Sequence, residues 1–269
     1  MAQSIIFPHE ISESFKIVVL QCLAHDRNDR IRSVEVLEES LVTKYNEDKI
    51  CTDDEKSRII SFAGVDRRVG VTHICLAFAL YLSRQGYSVL YEEANVSNHM
   101  RLIAAGKRLK YQNGFFYVDK LLCKPMYGKQ IALKSDCTYI LRDCGVFDKQ
   151  ILYDSAEIVL VTGVKYWERE QAALVCKEAI DIKSSEENVG RLHLLCNGGS
   201  ENEAVRLWKK TGITGATVPF LHELLEYKEY NDIEKHFFDE LKAMIGIEKK
   251  GGELHKKRTW IFRKATEKT

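Results

Sequence analysis

The sequence has no long apolar run. A membrane-crossing helix needs about 20 consecutive apolar residues, and no stretch of this chain approaches that. It has no excess of charge: 40 Lys and Arg stand against 39 Asp and Glu, a net of +1. That balance gives no global bias toward nucleic acid or a membrane, and nucleic acid is not an expected partner. It has no CxxC pair. The eight cysteines (Cys22, Cys51, Cys75, Cys123, Cys137, Cys144, Cys176 and Cys196) are scattered. Several lie in apolar runs, which favours buried free thiols over zinc ligands or a disulfide framework. The opening MAQSIIFPHE has no basic region before an apolar stretch, so no secretory signal is expected. A reducing cytoplasmic setting fits these absences. No Ser/His/Asp or Cys/His set stands out either.

What is present is a core. Hydrophobic residues make up 45% of 269, enough for one large α/β domain with an appendage. The organising stretch is RIISFAGVDRRVGVTHICLAFALYLSRQGYSVL, from Arg58 to Leu90. Arg58–Ala63 reads as a buried strand and Gly64–Gly70 as a loop. Val71–Arg84 reads as a buried helix ended by Gly86, and Ser88–Tyr91 begins a second strand. This is a βαβ unit laid out like a phosphate loop, with a helix N-terminus available to an anion.

A phosphate loop is written GxxxxGK[ST]. Aligned on Gly70, Val71 stands at the Lys, Thr72 keeps the magnesium-ligand place, and Val65 stands at the first Gly. The surrounding frame resembles the MinD/ParA group of deviant phosphate-loop ATPases, including the TadZ branch. RVGVT (Arg68–Thr72) matches that group's GVGKT in part, and Asp66 falls at its cross-dimer Lys. VLYEEAN (Val89–Asn95) resembles VLLIDAD, with Glu93 and Asn95 at the two carboxylate places. YILRDCG (Tyr139–Gly145) resembles the strand ending in the magnesium-side Asp, here Asp143. EIVLVTG (Glu157–Gly163) resembles the next strand, and RLHLLCN (Arg191–Asn197) the strand ending in an adenine-contacting Asn.

The resemblance implies an α/β fold, a mostly parallel sheet with helices on both faces. It implies ATP and magnesium as cofactors, with phosphates held by Gly64, Arg67, Arg68, Val69, Gly70, Val71 and Thr72. Adenine would be read by Asn197 and magnesium held by Thr72 and Asp143, while Asp143 and Glu93 carry the catalytic roles. A homodimer and a protein partner follow from the same likeness. For each residue a plainer role stands beside that one. Asp143 is otherwise a loop or capping residue, Asn197 a turn residue, Arg67 and Arg68 surface arginines, and His73 a packed or capping histidine. Phosphoryl transfer depends on positioned charge, and losing one donor typically costs about 10²–10³ in rate. With the Lys absent, hydrolysis by the family mechanism is expected to be slow or missing. The alternative is an active ATPase in which Arg67 or Arg68 replaces the Lys, since guanidinium suits phosphate.

The flanks read differently. Residues 1–47 read as a helical appendage. Its CLAHDRNDRIRSVEVLEESL (Cys22–Leu41) resembles the last helices of a protein-kinase C-lobe, with Arg30 at an ion-pairing Arg. The Gly-rich loop, ATP-binding Lys, HRD and DFG are all missing, so an ordinary helical hairpin and a kinase-associated signalling module both stay open. Residues 48–57 form a polar linker and 58–248 the phosphate-loop domain. The tail, 249–269, carries HKKRTWIFRK (His255–Lys264), a basic aromatic patch. Such a patch is either solvated or peripheral at an anionic inner membrane face. Within the domain, helices are expected over Asn98–Leu109, Glu168–Ile182, Glu201–Thr211 and Leu221–Ile245. Short strands are expected over Phe115–Val118 and Ala216–Phe220, and Asp119–Asp136 is too mixed to assign, with Lys124, Pro125 and Gly128 suggesting a loop and a turn.

Overall fold

The computed structural model describes residues 57–112, 114–126, 137–186, 189–223, 225–226 and 229–247, together with Cys22. The kinase-like helices, most of the linker and the basic tail lie outside the described residues.

In chain order the elements are β1 (Arg58–Gly64), α1 (Val71–Arg84), β2 (Val89–Glu93) and α2 (His99–Lys107). Three short strands follow, β3 (Lys110–Gln112), β4 (Phe115–Val118) and β5 (Leu121–Lys124). Next come β6 (Tyr139–Val146), α3 (Ile151–Asp154), β7 (Glu157–Thr162) and α4 (Tyr166–Ser185). The domain closes with β8 (Arg191–Asn197), α5 (Glu201–Thr211), β9 (Gly215–Val218) and α6 (Asp232–Met244).

The strands form one nine-stranded sheet in the order β3-β4-β5-β2-β6-β1-β7-β8-β9. Every neighbouring pair from β5 to β9 is parallel, and β4 runs antiparallel to both β3 and β5. The five strands read from the sequence at Arg58, Val89, Tyr139, Glu157 and Arg191 stand side by side, with β1 between β6 and β7. Their sequences explain it. A parallel strand covered on both faces reads as an unbroken apolar run, and EIVLVT of β7 is buried at all six positions.

Helices cover both faces. α1 and α6 share a core cluster with Ile60, Phe62, Tyr91, Leu141 and Val161. α4 and α5 pack opposite, with Ala63, Ile158, Leu160 and Leu194. α5 starts and stops on local signals: Ser200 and Glu203 cap each other's backbone N–H groups, and Gly212 takes the left-handed conformation at φ 73°. Among the described residues no helix is long and apolar enough to cross a membrane.

The structure resolves one unassigned stretch and corrects one helix. Leu121–Lys124, within the stretch too mixed to assign from its sequence, is a strand, β5. Its Lys124 is buried because its Nζ bonds Glu92 Oε1 at 2.7 Å, and Arg142 Nε bonds Glu92 Oε2 at 2.7 Å. The helix expected from Leu221 begins only at Asp232. Leu221 and Tyr230 are apolar and buried but belong to a connection. That connection ends where Asn231 caps α6 and Glu234 returns to the Asn231 and His222 N–H groups.

Candidate functional site

Parallel sheets place ligands outside the carboxyl ends of their strands. Here the loops after β1, β2 and β6 meet at that end and enclose a cleft of about 780 Å³. The β1 loop contributes Asp66, Arg67, Arg68, Gly70, Val71, Thr72 and His73 to its wall. The β2 loop contributes Asn95, Val96, Ser97 and His99, and the end of β6 contributes Cys144, Gly145 and Val146.

The β1 loop alternates apolar and polar with a structural result. Val65, Val69 and Val71 turn into the core, while Asp66, Arg67 and Arg68 stand exposed. Val65 N–H donates to Val161 O at 2.9 Å, tying the loop to β7. Gly70 is at φ 98°, and a Cβ there would lie 2.5 Å from Asn197 Nδ2. Glycine is therefore required at 70 for its backbone angle and for space. Asn197 explains the crowding: its amide donates to Val69 O at 2.9 Å. That hydrogen bond joins the end of β8 to the loop. Asn197→Ala is expected to cost about 1 kcal/mol and to speed hydrogen exchange across residues 65–72. Unchanged exchange there would show that the loop does not depend on this anchor.

α1 begins at Gly70 with no side-chain cap. The first-turn N–H groups of Val71, Thr72 and His73 therefore face the cleft without a capping oxygen, as a helix N-terminus able to receive an anion does. Val71, at the lysine place, is 7% exposed and belongs to the main core cluster. Thr72 Oγ1 lies 3.4 Å from His99 Nδ1.

The two carboxylates singled out from the sequence do not line the cleft. Asp143 is fully buried. Its Oδ2 accepts the Tyr91 hydroxyl at 3.0 Å and its Oδ1 the Gly145 N–H at 3.1 Å. Burial first, and then the Asp143 charge, push the Tyr91 phenol and the Cys75 thiol well above their ordinary ranges. Glu93 is 2% exposed. Its Oε1 accepts Met100 N–H and Ser97 Oγ, both at 3.2 Å, and its Oε2 accepts Met126 N–H at 3.2 Å. It thus completes the first turn of α2 from outside the helix. Asn95 braces β6 by donating to Asp143 O at 3.0 Å, while its own Oδ1 accepts the Ser97 N–H.

Of the residues picked out from the sequence, Arg67, Arg68, Gly70, Val71 and Thr72 are brought together on the wall. Gly64, Val69 and Asn197 shape the loop from behind. Ser97, His99 and Val146 escape the sequence reading. The signal that finds them is positional: each lies just past or at the carboxyl end of a parallel strand.

No protein-family model matches the sequence, and no curated protein matches it. Solved structures do. MinD, the septum site-determining protein of Pyrococcus horikoshii OT3 complexed with Mg-ADP, aligns over 71% of this chain and 98% of its own, at 17% identity and TM-score 0.52. A ParA family ATPase from Chlorobium tepidum TLS aligns over 71% and 99%, at 16% identity and TM-score 0.51. The MinC:MinD cell division complex of Aquifex aeolicus supplies a chain aligned over 73% and 99%, at 13% identity and TM-score 0.52.

The chain has the ParA/MinD phosphate-loop fold.

On a ParA/MinD frame the cleft's chemistry can be tested against the ligands of that fold. The uncapped N–H groups and two exposed guanidinium groups suit a phosphate. A magnesium ion takes oxygen ligands, commonly one or two carboxylates plus substrate phosphates. Among the described residues Asp66 is the one carboxylate on the wall, and its Oδ1 is taken by Arg67 N–H at 2.6 Å. Thr72 brings a single hydroxyl. Among the described residues no group of three or more His, Cys, Asp or Glu side chains could hold a metal. The donor set fits a phosphate and does not fit a protein-held magnesium ion.

Proposed function

We propose that this chain is a ParA/MinD-like protein that binds the phosphates of a nucleotide weakly, hydrolyses ATP at or near background, and serves as a regulatory or scaffolding partner of another protein. The observation that carries this reading is Val71. At the place where a phosphate-loop lysine meets developing charge stands an uncharged side chain, packed in the core. Asp143 and Glu93 add support, since hydrogen bonds inside the fold already engage both oxygens of each. The backbone cradle survives because N–H groups do not depend on side chains. The partner half of the reading draws on the Aquifex MinD, which was solved together with MinC.

The test is phosphate release with ATP and magnesium, alongside ATP affinity by calorimetry. Wild-type turnover is expected at background. Val71→Lys is expected to tighten ATP by about tenfold, the worth of one charge-assisted hydrogen bond. It should do so without conferring turnover, because Asp143 stays engaged. Val71 lines the cleft as well as the core, so the lysine stem has an exit. Arg67 and Arg68 stand exposed on the same wall, and robust wild-type turnover lost in Arg68→Ala would instead identify an arginine-substituted ATPase.

A further inference from the structure

We infer that the cleft takes the polyphosphate of its ligand without a divalent cation, the protein's own guanidinium groups standing where the ion would. The inference rests on the nucleotide-binding reading above and deepens it. Its ground is the mismatch between the wall's donors and magnesium. In a metal-dependent site, carboxylates draw the ion in and the ion neutralises the phosphates. Here both buried carboxylates are withdrawn. Asp143 is spent on Tyr91 and Gly145, and Glu93 on Ser97, Met100 and Met126. An ion in the cleft would find the single carboxylate of Asp66, one oxygen of which already accepts the Arg67 N–H, the Thr72 hydroxyl, itself 3.4 Å from His99 Nδ1, and the side chains of Asn95 and Ser97, both already hydrogen-bonded within the fold.

The positive charge is supplied differently. Arg67 and Arg68 sit on consecutive positions of the wall, both exposed, and the planar guanidinium fork matches phosphate oxygens. Arg68 is held at φ 63°, a conformation that L residues rarely adopt. It is followed by Val69, which anchors in the core and accepts from Asn197. The loop carrying the two arginines is therefore fixed at its far end rather than free to sweep. Magnesium bound to ATP cancels part of the charge that these groups attract. Free ATP and inorganic tripolyphosphate, which carry more negative charge, are the better ligands for such a wall.

The experiment is calorimetric titration of the full chain with ATP and with tripolyphosphate, in EDTA and in excess magnesium. The expected result is that both probes bind in EDTA at least as tightly as in magnesium. Arg67→Gln with Arg68→Gln should weaken binding in EDTA by about tenfold or more while leaving the melting temperature of the unliganded protein unchanged. The glutamines keep a polar side chain at two exposed positions, so the fold has no reason to fail. A tenfold or greater loss of ATP affinity on removing magnesium would overturn the inference and leave the nucleotide-binding reading standing. Binding in EDTA that is indifferent to the double substitution would overturn the assignment to the arginines. No binding of either probe under either condition would overturn the inference and the nucleotide reading together.

Discussion

Glu157→Ala is expected to destabilise the protein by about 1–3 kcal/mol, the cost of losing charged hydrogen bonds whose arginine partners reach solvent. Glu157 is 2% exposed at the start of β7. Its Oε1 accepts from Arg58 and from Arg191, the latter with Nε at 2.9 Å, and its Oε2 lies 2.8 Å from His193 Nε2. Three strands, β1, β7 and β8, are thus pinned at one point, and Arg58 continues from there to the carbonyls of Ile245 and Gly246 beyond α6. Burial alone would raise the Glu157 carboxyl. The hydrogen bonds from His193, Arg191 and Arg58 outweigh it and hold the group at about 2, against an ordinary 4.5. The sign of the pH dependence follows. A carboxyl lowered in the folded state contributes fully above its unfolded value and loses that contribution as pH falls through the folded one. The gap between wild type and Glu157→Ala should be full at neutral pH and shrink between about 4.5 and 2. Urea titrations of both proteins across that range measure it, and a gap that stays constant with pH would show that the carboxylate's charge is not what holds the strands.

Phe238→Ala should cost more, about 3–5 kcal/mol. Phe238 is fully buried in α6. Its ring lies 5.9 Å from Phe78, 5.0 Å from Tyr81, 5.4 Å from Tyr230 and 5.1 Å from Phe237. These contacts join α6 to α1, and Tyr230 adds a hydrogen bond to Ala77 O at 3.2 Å. The cavity left by the ring cannot be refilled by neighbours that are themselves rigid aromatics, so little relaxation is expected. Because α1 begins at the cleft, the loss should also reach the site and weaken the nucleotide binding proposed for it. A thermal melt unchanged by the substitution would contradict this packing account.

The elements legible in the sequence are those whose causes are local. α5 is read at its observed bounds because Ser200, Glu203 and Gly212, which start and stop it, are neighbours of the helix they bound. β7 is legible because every one of its side chains is buried. β3 is not: its three residues are all exposed, and pairing with β4 alone makes it a strand. β5 is hidden by Lys124, whose buried charge makes sense only beside Glu92, a helix and a hairpin earlier. The connection before α6 misleads because Leu221 and Tyr230 report burial, and apolar spacing cannot say which backbone conformation delivers it.

The site divides the same way. Gly70 and the missing lysine can be read directly, since the loop is contiguous. The engagement of Asp143 cannot, because its partner Tyr91 lies on a neighbouring strand, 52 residues away. Ser97 and His99 reach the cleft only through the meeting of two loops, which no local pattern announces.

The place of β1 in the middle of the sheet has a consequence for how the chain is made. Its two neighbours begin at Tyr139 and Glu157, and Ser61 meets Ser155 across 94 residues. Synthesis at roughly 5–20 residues per second leaves β1 without either partner for on the order of ten seconds after it is made. During that interval α1, buried on nearly every side in the finished domain, has among the described strands only β1, β2 and the short strands β3 to β5 to shelter against. The nascent chain therefore carries its most apolar helix exposed while the strands that will cover it are still being translated. Folding of this domain should accordingly be slow and sensitive to whatever holds that helix in the meantime.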